Sequence, residues 1–404
     1  MEKRIPNPAN DNAAEQSPVT IAAGAAANMV KRLHQSLGGE YGESFAGNQK
    51  DEDGGYIVPV PIVDEREFDD IDRLAERYNK LTSPGMLSKA GEAVAGIVPK
   101  PIKEIARGIG DTAQETFQGL TKQELMVRAL KVAAEGFSKL EEQAAKSSVS
   151  KEYVLRKVNE GKQEQKVSSF EEICLLRSYD VAAVAEGGNL QHMFMALSEG
   201  AGTGAVGFWG LPANIALSML CFFRAVQSVA LFYGYDVKDD PRELAIAGDV
   251  FSKAMAPNTN GGVVTDYVGK ILVYAETATV RKAARQTWAA MVEAGGAGLL
   301  IAQMRALANS AAQKAVKNGG KKALEAGVFQ NALKQVGSKL ALKNVGKLVP
   351  VIGAGFGALF DTAQMSRVIE FASLFYQKRF IMEKAERISR LTGEPILAEG
   401  KSEK

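Results

Sequence analysis

The stretch GAGTGAVGFWGLPANIALSMLCFFRAVQSVALFYGYD, residues 200–236, decides how the rest of the chain is read. From Ala201 to Phe223 it runs 23 residues without a formal charge, and glycines at 202, 204, 207 and 210 precede Pro212. Gly202 to Gly207 matches the GxGxxG string of dinucleotide sites, but the context fails. Such a site needs a strand before the first glycine and an acidic residue ~20 positions on for the ribose. Here LQHMFMALSEG reads as helix, Pro212 interrupts the following element, and position 224 is Arg.

A membrane span needs ~20 mostly apolar residues in one helix. Breakers at 200–212 leave a continuous helix only from Ala213 to Tyr233, and Arg224 falls inside it. Asn214, Ser218, Cys221, Ala225 and Ser228 follow a 4-3-4-3 spacing that draws one small, polar stripe down an apolar rod. The predicted helix buries most of its circumference. It suits the centre of a bundle, a membrane-inserted hairpin or interfacial helix, or a span, and spacing alone does not choose among these environments.

Working outward, strand-like alternation is found nowhere at useful length, and helical spacing recurs over 120–144, 169–186, 190–198, 241–255, 263–292 and 357–391. The fold expected is all-α: a helical bundle with two glycine-rich apolar hinges and a flexible N-terminal tail. Residues 1–63 read as that tail, holding only a short Ala-rich helical patch at 21–37. Residues 64–83 read as a docking helix with Phe68, Ile71, Leu74 and Tyr78 on one side. Residues 84–392 form the main helical domain, and 393–404 a flexible end.

Composition sets bounds on the whole. Of 404 residues, 24% are charged and 46% apolar, which is ordinary for a globular protein. Cys174 and Cys221 sit in apolar surroundings without CxxC spacing, which favours two buried thiols in a reducing cytoplasm over a disulfide. His34 and His192 are the only histidines, and no Cys/His cluster is present, so no metal site is expected; His192, in QHMFM, reads as a packed residue. The N-terminal MEKRIPNPANDN has no apolar h-region, so no secretion signal is expected. No HExxH, P-loop, GxSxG or EF-hand string occurs, no cofactor is expected, and the reading leans away from an enzyme. Asp236, Asp239 and Asp240 in GYDVKDDPRE read as a turn opening a helix at Pro241, with a metal site as the weaker reading.

Charge is concentrated in one place. Lys314, Lys317, Lys321, Lys322, Lys334, Lys339, Lys343 and Lys347 face a single acid, Glu325, so residues 314–347 carry a net 8 − 1 = +7. Phe329, Leu333, Val336 and Leu340 interleave at 4-3-4 spacing, giving a helix with one greasy and one cationic face. That pattern fits an anionic membrane surface, and it also fits a solvated helix packed on a core. Nucleic acid is not expected, because the stretch has no arginine and one aromatic. The 13-residue apolar run LVPVIGAGFGALF, 348–360, follows and ends at Asp361, from which an amphipathic helix is expected to continue. Asn214, Arg224 and Asp361 are the candidate polar core group linking the two hinges.

These parts together resemble the EcsC family of bacterial proteins. The resemblance is carried by 200–236, by DPRELAIAGDVF at 240–251, and by VPVIGAGFGALFDTAQMSRVIEFASLFYQKRF at 349–380. In that family an Asp falls near position 214 and an Asn near 361; here the two are exchanged, which would preserve a polar pair. The family is named for a gene neighbour of an ABC transporter, which implies a membrane-associated role in transport or secretion and such a component as partner. The expectation is a non-enzymatic, cytoplasmic protein held peripherally on the inner membrane. Its alternatives are a lipid-acting or unrecognised enzyme with a polar pair in a helical cavity, and a soluble helical interaction module.

Overall fold

The computed structural model describes residue 56 and residues 58–82, 149–161, 166–186, 213–255, 267–273, 308, 312–314, 316–317, 320–341 and 362–393. Among these residues every regular element is a helix and no strand occurs. The helices are α1 (Glu65–Thr82), α2 (Lys151–Asn159), a 3-10 helix (Glu171–Leu175), α3 (Ser178–Glu186), α4 (Ala213–Phe232), α5 (Pro241–Met255), α6 (Tyr267–Val273), α7 (Gly320–Ala341) and α8 (Thr362–Thr392). Both glycine hinges, the helical patches at 21–37, 120–144 and 190–198, His34, His192 and Asp361 lie outside the described residues.

Several helix ends have an identifiable cause. Asp64 and Glu67 form a capping box at the start of α1: Glu67 N donates to Asp64 Oδ1 at 2.8 Å and Asp64 N donates to Glu67 Oε2 at 3.2 Å. Phe68, Ile71, Leu74, Ala75 and Tyr78 are the apolar residues on its buried face, as the spacing predicts. Ser150 caps α2 by accepting from Tyr153 N, and Val154 and Val158 are its buried pair. No helix is expected there from sequence, since two valines in nine residues make a weak signal.

The helix expected over 169–186 is broken in two. Leu176 adopts an extended conformation after the 3-10 helix, and α3 restarts with Ser178, whose N–H donates to Glu67 Oε1 at 2.8 Å. A carboxylate from α1 thus occupies the positive end of α3. Helix α4 closes in a Schellman motif: Gly234, at φ +72°, donates to Leu231 O, and Tyr235 N donates to Ala230 O. Asp240 caps α5, accepting from Arg242 N at 2.8 Å, with Pro241 at the first helical position. Gly320, at φ +80°, is the residue from which α7 starts, and Gly393, at φ +70°, follows α8.

The centre of the bundle is α8, which packs against α1, α3, α4, α5, α6 and the 3-10 helix. The expectation of an amphipathic C-terminal helix is corrected here: every residue from Phe371 to Glu386 is buried, Gln377, Lys378, Arg379, Glu383 and Lys384 among them. Six neighbouring elements enclose this stretch, and within it Arg379 is matched by Glu243 and Glu383, and Lys384 by Glu67. On α4, residues 220–232 are likewise buried, and among the described residues no helix is long and apolar enough to cross a membrane. The outer layer is α7, which lies on α5. Phe223, Phe251 and Phe329 join α4, α5 and α7 with ring centroids 5.2 to 6.0 Å apart, and each such buried side chain contributes roughly 1.5–3 kcal/mol.

Part of the expected tail belongs to this body. Val63 is buried, and Tyr56, Val58 and Ile62 pack against Cys174, Leu175 and Ile388. The guanidinium of Arg177 donates to Pro61 O and Ile62 O and holds the segment down.

Candidate functional site

The polar chemistry of the described residues is gathered along α8. Arg379 is wholly buried and makes a two-pronged contact with Glu243 of α5: Nη1 to Oε2 at 2.6 Å and Nη2 to Oε1 at 2.9 Å. Its Nε lies 3.3 Å from Glu383 Oε1 one turn on, and its guanidinium stacks 4.0 Å over the Tyr235 ring. Burial alone would lower the Arg379 pKa, but Glu243 and Glu383 outweigh it and hold the guanidinium charged. Arg387 covers the same Tyr235 ring at 4.5 Å and donates to Tyr233 O and Gly234 O, which ties α8 to the C-terminal cap of α4. Among the described residues, the buried hydroxyls of Tyr235 and Tyr376 find no hydrogen-bond partner, and burial pushes both phenols far up, so they stay un-ionised.

A second centre lies where α1 meets the end of α8. Glu67 is fully buried and accepts from Lys384 Nζ at 2.8 and 3.0 Å, from Arg177 Nη1 at 3.1 Å and from Ser178 N. From there α1 runs antiparallel to α8. Asp70 accepts from Gln377 at 3.4 Å, the Tyr78 and Phe371 rings meet edge to face at 5.8 Å, Arg77 pairs with Glu370 at 3.2 Å, and Arg367 reaches Leu81 O at 3.5 Å. Lys378 sits between α8 and α6, its ammonium donating to Leu272 O at 3.1 Å; burial, opposed by Asp72, pushes its pKa down to about 7.

The sequence-derived candidates fare differently. Arg224 is buried and meets Glu325 of α7 at 2.6 Å, with Gln227 closing the triangle at 2.9 and 3.2 Å. Asn214 lies on α4, its side chain outside the described residues, as does Asp361 altogether. Of the lysines, Lys314, Lys317 and Lys334 are exposed, while the side chains of Lys321, Lys322 and Lys339 and all of Lys343 and Lys347 lie outside the described residues. Leu324, Val328, Phe329 and Leu333 are buried on the other side of α7. The acidic turn at 236–240 holds an ammonium: Lys151 Nζ donates to Asp236 at 2.5 Å and Asp239 at 2.8 Å. Among the described residues no group of three His, Cys, Asp or Glu is placed to hold a metal.

Both cysteines are free and buried, and burial pushes Cys174 up to about 11 and Cys221 to about 12, so neither is a ready nucleophile. Reading the sequence missed the Arg379–Glu243 and Glu67–Lys384 centres. The only local signals were the capping-box spacing of Asp64 and Glu67 and the i, i+4 pair Arg379 and Glu383.

An all-α bundle threaded by a charged central helix is the class these residues define. Within it, the pattern of the EcsC protein family matches residues 83–381, and the chain belongs to that family. Comparison with curated proteins and with solved structures gave no match.

Proposed function

We propose that this chain is a non-enzymatic helical protein that associates peripherally with an anionic membrane surface, on the cytoplasmic side of the inner membrane, in a role linked to transport or secretion. The supporting observation is the placement of Glu325. It is the one acid among the eight lysines of 314–347, and it turns inward onto Arg224. Lys314, Lys317 and Lys334 point outward with no acid of their own stretch beside them on the surface. Because Leu324, Phe329 and Leu333 pack inward, this part of the face acts by charge, without inserting its greasy side.

Anionic lipid attracts each such lysine by ~1 kcal/mol. Replacing Lys314, Lys317 and Lys334 by Gln should therefore weaken binding to vesicles containing phosphatidylglycerol by about a hundredfold. Raised salt should do the same to the natural chain. Equal flotation with neutral and anionic vesicles, or none with either, removes this reading.

A further inference from the structure

The seam between α1 and α8 has a charge asymmetry. Helix α1 carries six acids against four bases, and it lies over Lys384, Arg177, Lys378 and Arg367. Its ties are spread along its length, from Glu67 at one end to Leu81 at the other, with Tyr78 on Phe371 between them. Beneath it lie the cations Arg367 and Lys384 of α8 and Arg177 just before α3, with Phe371, Gln377 and Glu370 of α8 between them. Cations set beside apolar side chains are what takes up anionic amphiphiles. One feature marks α1 as an addition to the domain: the family pattern begins at residue 83, one position beyond its last residue.

We infer that α1 is an acidic latch over a latent lipid-binding groove: phosphate groups of an anionic membrane compete with Glu67 for Lys384 and Arg177, release α1, and take its place along α8. The carboxylate of Glu67 and a lipid phosphate present the same kind of acceptor to these two cations, and a two-dimensional array of phosphates replaces the other acids of α1 together. The inference rests on the membrane reading above. It adds a second surface to it, one that opens only after the lysine face has brought the chain to the bilayer.

The test is hydrogen exchange over 65–82 in the full chain, with vesicles of phosphatidylglycerol, with vesicles of phosphatidylcholine, and with inorganic phosphate. Exchange in α1 is expected to rise about tenfold or more with the anionic vesicles only. Glu67→Gln should increase recovery with those vesicles and keep doing so when Lys314, Lys317 and Lys334 are all Gln. If Glu67→Gln fails to fold, Arg77→Ala, at the half-exposed end of the seam, serves the same purpose.

Flotation of the chain with unchanged exchange in α1 overturns the latch and leaves the lysine face standing. Release by inorganic phosphate alone overturns the membrane as its trigger. Absence of flotation in every variant overturns both.

Discussion

Glu67 and Lys384 are 317 residues apart in sequence, and the Lys384 ammonium donates to both carboxylate oxygens of Glu67 with neither side chain exposed to solvent. One carboxylate thereby joins the start of α1, the start of α3 and the last turns of α8. Burial lowers the Lys384 pKa while Glu67 opposes it, so the pair is costly to desolvate and costlier to break. Glu67→Ala leaves Lys384 buried without its acid and should cost about 3–5 kcal/mol in urea unfolding. The double variant Glu67→Met with Lys384→Met should lose less than the sum of the two single changes. Additive losses would show that the two residues act independently.

Lys378 gives a pH prediction of definite sign. Its folded pKa is about 7 against 10.5 for a free lysine, with burial as the cause and Asp72 opposing it. Between those values the unfolded chain holds a proton that the folded chain does not, so this residue's contribution makes stability rise as pH climbs from about 7 toward 10. Lys378→Met should be more stable at pH 7 by on the order of 1–3 kcal/mol and should lack that part of the rise. A natural chain and variant with parallel stability profiles from pH 7 to 9.5 would contradict it.

Gly248 sets the distance between α5 and α7. A Cβ built there lies 2.6 Å from Val328 Cγ1. Gly248→Ala should therefore destabilise by about 1–3 kcal/mol through overpacking, and Val328→Ala in the same chain should recover part of the loss. Thermal melts of the three variants decide it.

Gly234 is constrained twice. It holds φ +72°, and an added Cβ would sit 2.6 Å from Arg387 Nη2. Gly234→Ala should cost about 1–2 kcal/mol from the backbone alone, plus whatever Arg387 loses in moving off the carbonyls of Tyr233 and Gly234. Destabilisation confined to a few tenths of a kcal/mol would mean that the cap relaxes.

The parts of this fold that sequence made legible are those whose partners are close in the chain or whose buried and exposed faces differ. Helix α1 declares itself through Phe68, Ile71, Leu74 and Tyr78 because its other side is solvated, and α5 through Asp240 and Pro241. Helix α8 misleads for the opposite reason. Lys378 and Arg379 read as the polar side of an amphipathic helix, yet Arg379 is matched by Glu243, 136 residues away, and Lys384, equally buried, by Glu67. Periodicity reports the contrast between water and core, and a helix enclosed on every side offers none. Arg224 invited a search for a buried acid, and the acid that meets it, Glu325, looked from sequence like a stray charge within a lysine-rich surface.

The enclosure of α8 also has a consequence in time. Each of the six elements that pack on it, α1, the 3-10 helix, α3, α4, α5 and α6, precedes it in sequence, so a ribosome finishes all of them before the residues that fill their common centre exist. Until residue 386 has emerged, Glu67 lacks Lys384 and Glu243 lacks Arg379, and the apolar faces of α1 and α4 have no central rod to close on. Contacts of such long sequence separation form slowly. Until then the growing polypeptide holds a set of unfinished walls, and it is in that interval that a chaperone, or premature association between nascent chains, has its opportunity.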